Sequence, residues 1–270
     1  MPLARPIQEG ESGILELEKP QQYALCGILR YEWIFGDGFI SAGGAEVMAR
    51  LCQKLDWRPG LRVLDVGSGL GGVALQLART YKACVVGVDL TEKTVEMAQE
   101  RLAKADLPQV SFMQGDIRSM SWPDGAFDVI WSRDTLLHIA DKEQLFQQFF
   151  HWLAPGGQLL IADYGRGVGS GAREFEHYVE ETAYTLLDLD TYGRTLCRAG
   201  LVEVEVEDCT EYFVALLEKE LQRLHGRRED FLRHFSQEDF DYIDQRWRFK
   251  LRSCSAGDLK WGWYFARRPA

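Results

Sequence analysis

Three aspartates and a run of glycines are the residues in this chain whose types and spacing suit a bound ligand. The segment Val63-Leu64-Asp65-Val66-Gly67-Ser68-Gly69-Leu70-Gly71-Gly72 puts a carboxylate inside an apolar run and follows it with closely spaced glycines. Glycines at a strand-to-helix turn let a ligand approach the backbone closely. Gly67, Gly69 and Gly72 match GxGxxG, with Asp89 twenty residues past Gly69, so the fingerprint alone is compatible with a dinucleotide. The flanks favour a different ligand. Asp65 is costly inside an apolar strand unless it meets a partner, and it would repel a pyrophosphate. Asp89 ends the next apolar run, where a carboxylate can accept both hydroxyls of a ribose. Gly115-Asp116-Ile117 follows a third run and offers an acceptor for an adenine amino group beside an apolar wall. N-capping explains any one of these aspartates, but the trio with the glycines fits a ligand with a cationic head, a ribose and an adenine. S-adenosylmethionine is such a ligand.

A second group, Ser132-Arg133-Asp134-Thr135-Leu136-Leu137-His138, follows the fourth apolar run. Methyl transfer aligns a lone pair with a sulfonium methyl, and an amine that arrives as ammonium must lose a proton first. His138 lies four residues beyond Asp134, the spacing of one helical turn, so both are expected on one side of the site.

The elements that must position these groups alternate. Arg62–Val66, Ala83–Asp89, Val110–Gln114, Phe127–Trp131 and Gln158–Asp163 read as buried strands. Helical spacing covers Val73–Tyr81, Thr91–Ala105 and Lys142–Leu153. Short apolar runs between amphipathic helices predict βα units on a parallel sheet. Ala154-Pro155-Gly156-Gly157 is expected to end a helix before strand five. Val202–Asp208 alternates as a strand with one polar face. The expected fold class is α/β and Rossmann-like. Residues 1–45 are expected to form an N-terminal lid and active-site helix on a domain spanning 46–270. Residues 165–260 are expected to include a helical insertion over the strand ends, where ligands bind in such sheets.

Composition excludes several other classes. The 270 residues carry 31 Lys and Arg against 41 Asp and Glu, a net −10, which argues against a general nucleic-acid binder. From Leu221 onward the balance reverses to 11 basic against 7 acidic residues, read as a solvated face or a site for an anionic substrate. The six cysteines form no CxxC and no cluster with histidine, so neither structural zinc nor a disulfide framework is expected. No apolar stretch approaches the roughly 20 residues needed to span a bilayer. Met1–Gly13 is polar and reads as no secretory signal. A cytoplasmic enzyme with a small-molecule acceptor is the expectation, with no metal, no nucleic acid and no membrane insertion.

VLDVGSGLGG, GVDL, GDI and LAPGG together resemble the motifs of class I S-adenosylmethionine-dependent methyltransferases over roughly residues 60–163. The segments Gln22–Gly36 and Gly38–Gly44, SRDTLLHI, Asp163-Tyr164, and Trp247 through Lys250 to Phe265 resemble the phosphoethanolamine N-methyltransferase family. That family methylates phosphoethanolamine stepwise to phosphocholine. The resemblance implies a mostly parallel seven-stranded sheet with helices on both faces. It implies cofactor contacts at Ile40, Ser41, Asp65, Gly67, Gly69, Asp89, Leu90, Asp116, Ile117 and Arg133. Tyr23 and His138 match a dyad that latches the lid and handles the amine proton, and Asp134 matches a substrate-side carboxylate. Gln22, Tyr31, Tyr164, Tyr178, Tyr184 and Lys250 match substrate contacts, with Lys250 and tyrosine hydroxyls on the phosphate. One position departs from the pattern: the family has Arg four residues after this tyrosine, and here Thr182 follows Tyr178, behind Glu180 and Glu181. Thr cannot supply the bidentate guanidinium that phosphate favours. The expected alternative is therefore an unphosphorylated acceptor: an amino-acid amine, a thiohistidine, or a thioether of sulfonium osmolyte synthesis.

Overall fold

The computed structural model describes residues 25–270; the expectations for Gln22 and Tyr23 lie outside them. The strands form where the apolar runs predict: β1 (Arg62–Val66), β2 (Cys84–Asp89), β3 (Val110–Gln114), β4 (Phe127–Arg133), β5 (Leu153–Arg166), β6 (Val202–Asp208) and β7 (Leu259–Arg267). Their order across the sheet is β3-β2-β1-β4-β5-β7-β6. β7 runs antiparallel to both β5 and β6, and the other pairings are parallel. The parallel strands are nearly continuous in hydrophobicity because both faces of the sheet are covered. Val63, Val85, Val129 and Leu160 belong to the core on one face, and Leu64, Val86, Ile130 and Leu159 to the core on the other. β6 is an edge strand whose outward glutamates charge that edge, a recognised protection against edge-to-edge pairing.

The helices α1 (Leu25–Phe35), α2 (Gly44–Cys52), α3 (Gly72–Tyr81), α4 (Glu92–Ala103), α5 (Lys142–Trp152), α6 (Arg173–Glu181), α7 (Leu189–Arg198), α8 (Thr210–Gly226), α9 (Arg228–Phe231) and α10 (Gln237–Ala256) complete the described chain. Within residues 165–260, α7 and β6 join the sheet and its faces, whereas α10 contributes to the site and α8 packs against α10. α10 is held at its start by a capping box between Ser236 and Asp239. The same Asp239 pairs with Arg30 of α1 at 2.7 Å. Phe35 and Tyr31 of α1 pack on Trp247 of α10 at centroid distances of 5.8 and 6.0 Å.

Two local expectations are corrected. The β4–β5 ladder already begins at Leu153, across a bulge opposite Phe127, so Ala154-Pro155-Gly156-Gly157 lies within β5 instead of preceding it. Asp134 and His138 do not share a helical turn. Asp134 is left-handed at φ 49°, and only Leu136–His138 coils, as a 3-10 turn.

Candidate active site

A cavity of about 400 Å³ opens at the carboxyl ends of β1 to β5. Its wall can be followed in sheet order. Asp116 and Ile117 come from beyond β3, Asp89 and Leu90 from the end of β2, Val66 and Gly67 from β1, Arg133 and Asp134 from β4, and Tyr164 from β5. Arg246, Trp247 and Lys250 of α10 close the far side. The lining thus passes from carboxylates beside β3 and β2 to cations on α10.

The glycine turn is built by backbone needs. Gly67 sits at φ +76°, and a Cβ there would lie 2.0 Å from Thr135 Oγ1. Gly72 donates its N–H to the Gly38 carbonyl at 3.1 Å, so the loop between α1 and α2 rests on the turn and brings Ile40 and Ser41 into the cavity wall. Asp89 organises the same turn. Its carboxylate accepts from Gly69 N at 2.8 Å, Thr91 N at 2.9 Å and Thr94 Oγ1 at 2.8 Å. Asp116 also lines the cavity, but Arg118 already holds it, with Nη2 at 2.5 Å.

Asp65 is 2% exposed and lies outside the cavity wall, next to Val66. Its Oδ2 has no hydrogen-bond partner among the described residues. Burial pushes its carboxyl up to about 7; Asp89 adds to the rise and Arg133 opposes it. A buried, orphaned carboxylate oxygen beside a glycine turn and a ribose-ready Asp89 fits S-adenosylmethionine, whose methionine end brings positive charge. A folded-state carboxyl raised above its unfolded value costs nothing below about pH 4, and destabilises progressively as pH rises toward 7. Asp163 and Glu220, pushed by burial up to about 8 and about 7, act in the same direction. The ligand-free protein is therefore expected to lose melting temperature between pH 5 and pH 8. Asp65→Asn should flatten part of that slope, and an unchanged slope would remove Asp65 as a cause.

Arg133 is buried and lines the cavity, yet its guanidinium is spent on loop carbonyls: Gly44 at 2.9 Å, Ser41 at 3.3 Å, and Ala42. Its part here is to fix the loop. Glu220 of α8, which sequence reading missed, does likewise, accepting from Gly43 N and Trp247 Nε1, both at 2.8 Å. Asp134 Oδ1 accepts from Trp261 Nε1 at 3.0 Å, while its buried Oδ2 has no described partner. Burial raises its carboxyl, against the pull of Arg133 and Trp261. Burial, helped by the positive charge of Lys142, pushes His138 down to about 4, so its ring is neutral at neutral pH. It stands edge-on to Tyr184 at 5.0 Å.

Lys250 is half-buried among rings. Its Nζ lies 4.9 Å from the Tyr164 centroid and 5.2 Å from that of Trp247, and it donates to the Tyr164 hydroxyl at 2.9 Å. Burial foremost, then Arg246, push its ammonium down to about 8. Burial holds the phenols of Tyr31 and Tyr164 well above their usual range, so they remain O–H donors. Tyr31, Tyr164 and Tyr184 line the cavity, whereas Tyr178 stands behind, 5.7 Å from the ring of Tyr184. Gly69 likewise stands outside the wall.

Thr182 lines the cavity, as its place in the pattern implied. Thr182 Oγ1 bonds the Tyr178 carbonyl at 2.7 Å, tying it to the end of α6. Glu180 and Glu181 are exposed and do not line the cavity, although Glu181 lies 3.9 Å from Arg246, which does. Sequence reading also missed Arg246. The only hint was its place one turn before Lys250 in the basic C-terminal stretch.

The sheet order, glycine turn and strand-end carboxylates define a Rossmann-like methyltransferase, and comparison with known proteins agrees. The methyltransferase domain family matches residues 58–208. The chain is 44% identical to phosphoethanolamine N-methyltransferase 1 of Zea mays over 92% of its own length and 49% of that protein's. It is 34% identical to phosphoethanolamine N-methyltransferase of Plasmodium falciparum, covering 92% of this chain and 93% of the relative. Phosphoethanolamine N-methyltransferase 2 of Haemonchus contortus, solved with phosphomonomethylethanolamine and S-adenosylhomocysteine, superposes with a TM-score of 0.91 at 34% identity, over 93% of this chain and 58% of that one. The chain spans about half the length of the plant relatives it matches. It belongs to the phosphoethanolamine N-methyltransferase family.

Proposed function

We propose that this chain methylates the amino nitrogen of phosphoethanolamine or its partly methylated forms, using S-adenosylmethionine. The observation that carries the acceptor is Lys250, a half-buried ammonium whose one hydrogen-bond partner among the described residues is the neutral hydroxyl of Tyr164. A cation partly withdrawn from water is stabilised by an anion, and a phosphate held by Lys250 and Tyr164 is such an anion. With the phosphate there, the two-carbon arm points the amine back toward β4 and β1.

S-adenosylmethionine supplies a methyl on a sulfonium, whose carbon–sulfur electrons stay with sulfur when the methyl leaves. The chain's own groups do the rest. Asp89 and the Gly67–Gly69 turn hold the ribose end, Asp116 and Ile117 the adenine, and Ile40, Ser41 and Leu90 complete the wall. Tyrosine faces attract the ammonium as methyl groups accumulate on it. Asp134 Oδ2 orients that ammonium, and the neutral His138 takes its proton, which frees the nitrogen lone pair. Tyr23 would complete the dyad. Of the lid proposed over residues 1–45, residues 25–45 are described, and the contact between Gly38 and the glycine turn supports that part. Among the described residues no helix is long and apolar enough to cross a membrane. A cytoplasmic site of action and the absence of nucleic-acid partners belong to the same proposal, supported by the net charge of −10 and six unpaired thiols.

Formation of S-adenosylhomocysteine tests the reading. Turnover is expected with phosphoethanolamine and its mono- and dimethyl forms. Turnover restricted to glycine-series amines, thiohistidines or methylthio acids would refute it.

A further inference from the structure

Arg246 is one turn before Lys250 on α10, so both side chains fall on the same helix face, and both line the cavity. Its side chain is only 15% exposed, and its nearest carboxylate, Glu181, is 3.9 Å away and itself 64% exposed. Among the described residues its five N–H donors make no hydrogen bond. Its guanidinium instead lies 4.3 Å over the ring of Tyr178, and Thr182, Ala183 and Tyr184 share its stretch of wall. This is where α6 ends and where the family pattern carries an arginine that this chain lacks. Two cations thus face one cavity, close enough that Arg246 disfavours the charge on Lys250. Nearby Asp134 and Glu220 offset part of that charge, but each is engaged with a tryptophan.

We propose that Arg246 is the phosphate-binding guanidinium of this enzyme, supplied from α10 in place of the arginine missing at position 182. The inference rests on the phosphorylated-acceptor reading above and assigns it a specificity-determining residue. A fork of N–H donors stacked on Tyr178 is preorganised for two phosphate oxygens, and Lys250 provides the point charge beside it. The chain thereby keeps two cationic contacts on a dianion, with one of them coming from a different helix.

The test compares wild type, Arg246→Met, and Arg246→Met combined with Thr182→Arg. For phosphoethanolamine, Arg246→Met is expected to raise KM about ten- to a hundredfold, the loss of one charge-assisted contact. The kcat should stay within a few-fold, and S-adenosylmethionine affinity, which also reports folding, should not change. Adding Thr182→Arg should recover much of the KM, because it returns a guanidinium to the same wall. Three results would overturn the proposal: a KM within twofold of wild type, an equal loss for phosphoethanolamine and unphosphorylated ethanolamine, or lost cofactor binding that Arg246→Lys does not restore. Failure of the parent reading looks different, since wild type itself would then not turn over phosphoethanolamine.

Discussion

Asp89→Ala is expected to weaken S-adenosylmethionine binding by about a hundred- to a thousandfold, with the fold preserved. Two losses combine. The carboxylate accepts from Gly69 N, Thr91 N and Thr94 Oγ1, so removing it frees the glycine turn that a ligand must approach. It also lines the cavity, where it is placed to accept a ribose hydroxyl. A hydrogen bond to a charged group is worth about 1.5–3 kcal/mol, and roughly 1.4 kcal/mol is a factor of ten in affinity, so one ligand bond and a loosened turn account for the range. Asp89→Asn should do less damage, because its amide oxygen can still accept from Gly69. Calorimetric titration with S-adenosylmethionine reads both variants. An Asp89→Ala affinity within threefold of wild type would show that the cofactor does not lie against β2.

His138→Ala is expected to lower kcat by about a hundred- to ten-thousandfold, the usual range for a general acid–base group, with cofactor affinity within twofold. The ring sits on the acceptor side beside Tyr184, at the turn that follows Asp134. Because burial and Lys142 push it down to about 4, it stays neutral above about pH 5. No loss of kcat is therefore expected from its protonation near pH 6.5, the ordinary histidine value. Single-turnover rates from pH 5 to 9 read this directly. A limb near 6.5 that disappears in His138→Ala would contradict the lowered pKa, and a loss of cofactor affinity matching the loss of rate would contradict the assignment.

The strands were legible because burial on both faces makes each one a short apolar run, and β3 falls on the residues expected. The carboxyl-end placement of Asp89 and Asp116 was legible for the same reason, since a strand's end locates its last side chain. Tertiary pairing decided what spacing alone could not. β5 extends back to Leu153 because Phe127 offers it a partner across a bulge. The left-handed backbone at Asp134 overrides the helical spacing to His138, and the Trp261 bond orients Asp134 instead. Long-range partners were the least visible. Glu220 looks like any glutamate on a charged helix until Gly43 and Trp247 meet it. Arg246 looks like surface charge until α10 packs beside Tyr178. The Thr182 departure was visible at once, but its consequence depended on a residue 64 positions away.

The most direct test of the central claim is the ratio of kcat/KM for phosphoethanolamine to that for ethanolamine, with methyl-labelled S-adenosylmethionine and the product identified by NMR. The site predicts label on nitrogen of the phosphorylated amine and a ratio of at least a hundred, because ethanolamine leaves Lys250 and Arg246 without an anion. A ratio near one, or label on sulfur or carbon of another acceptor, would contradict it.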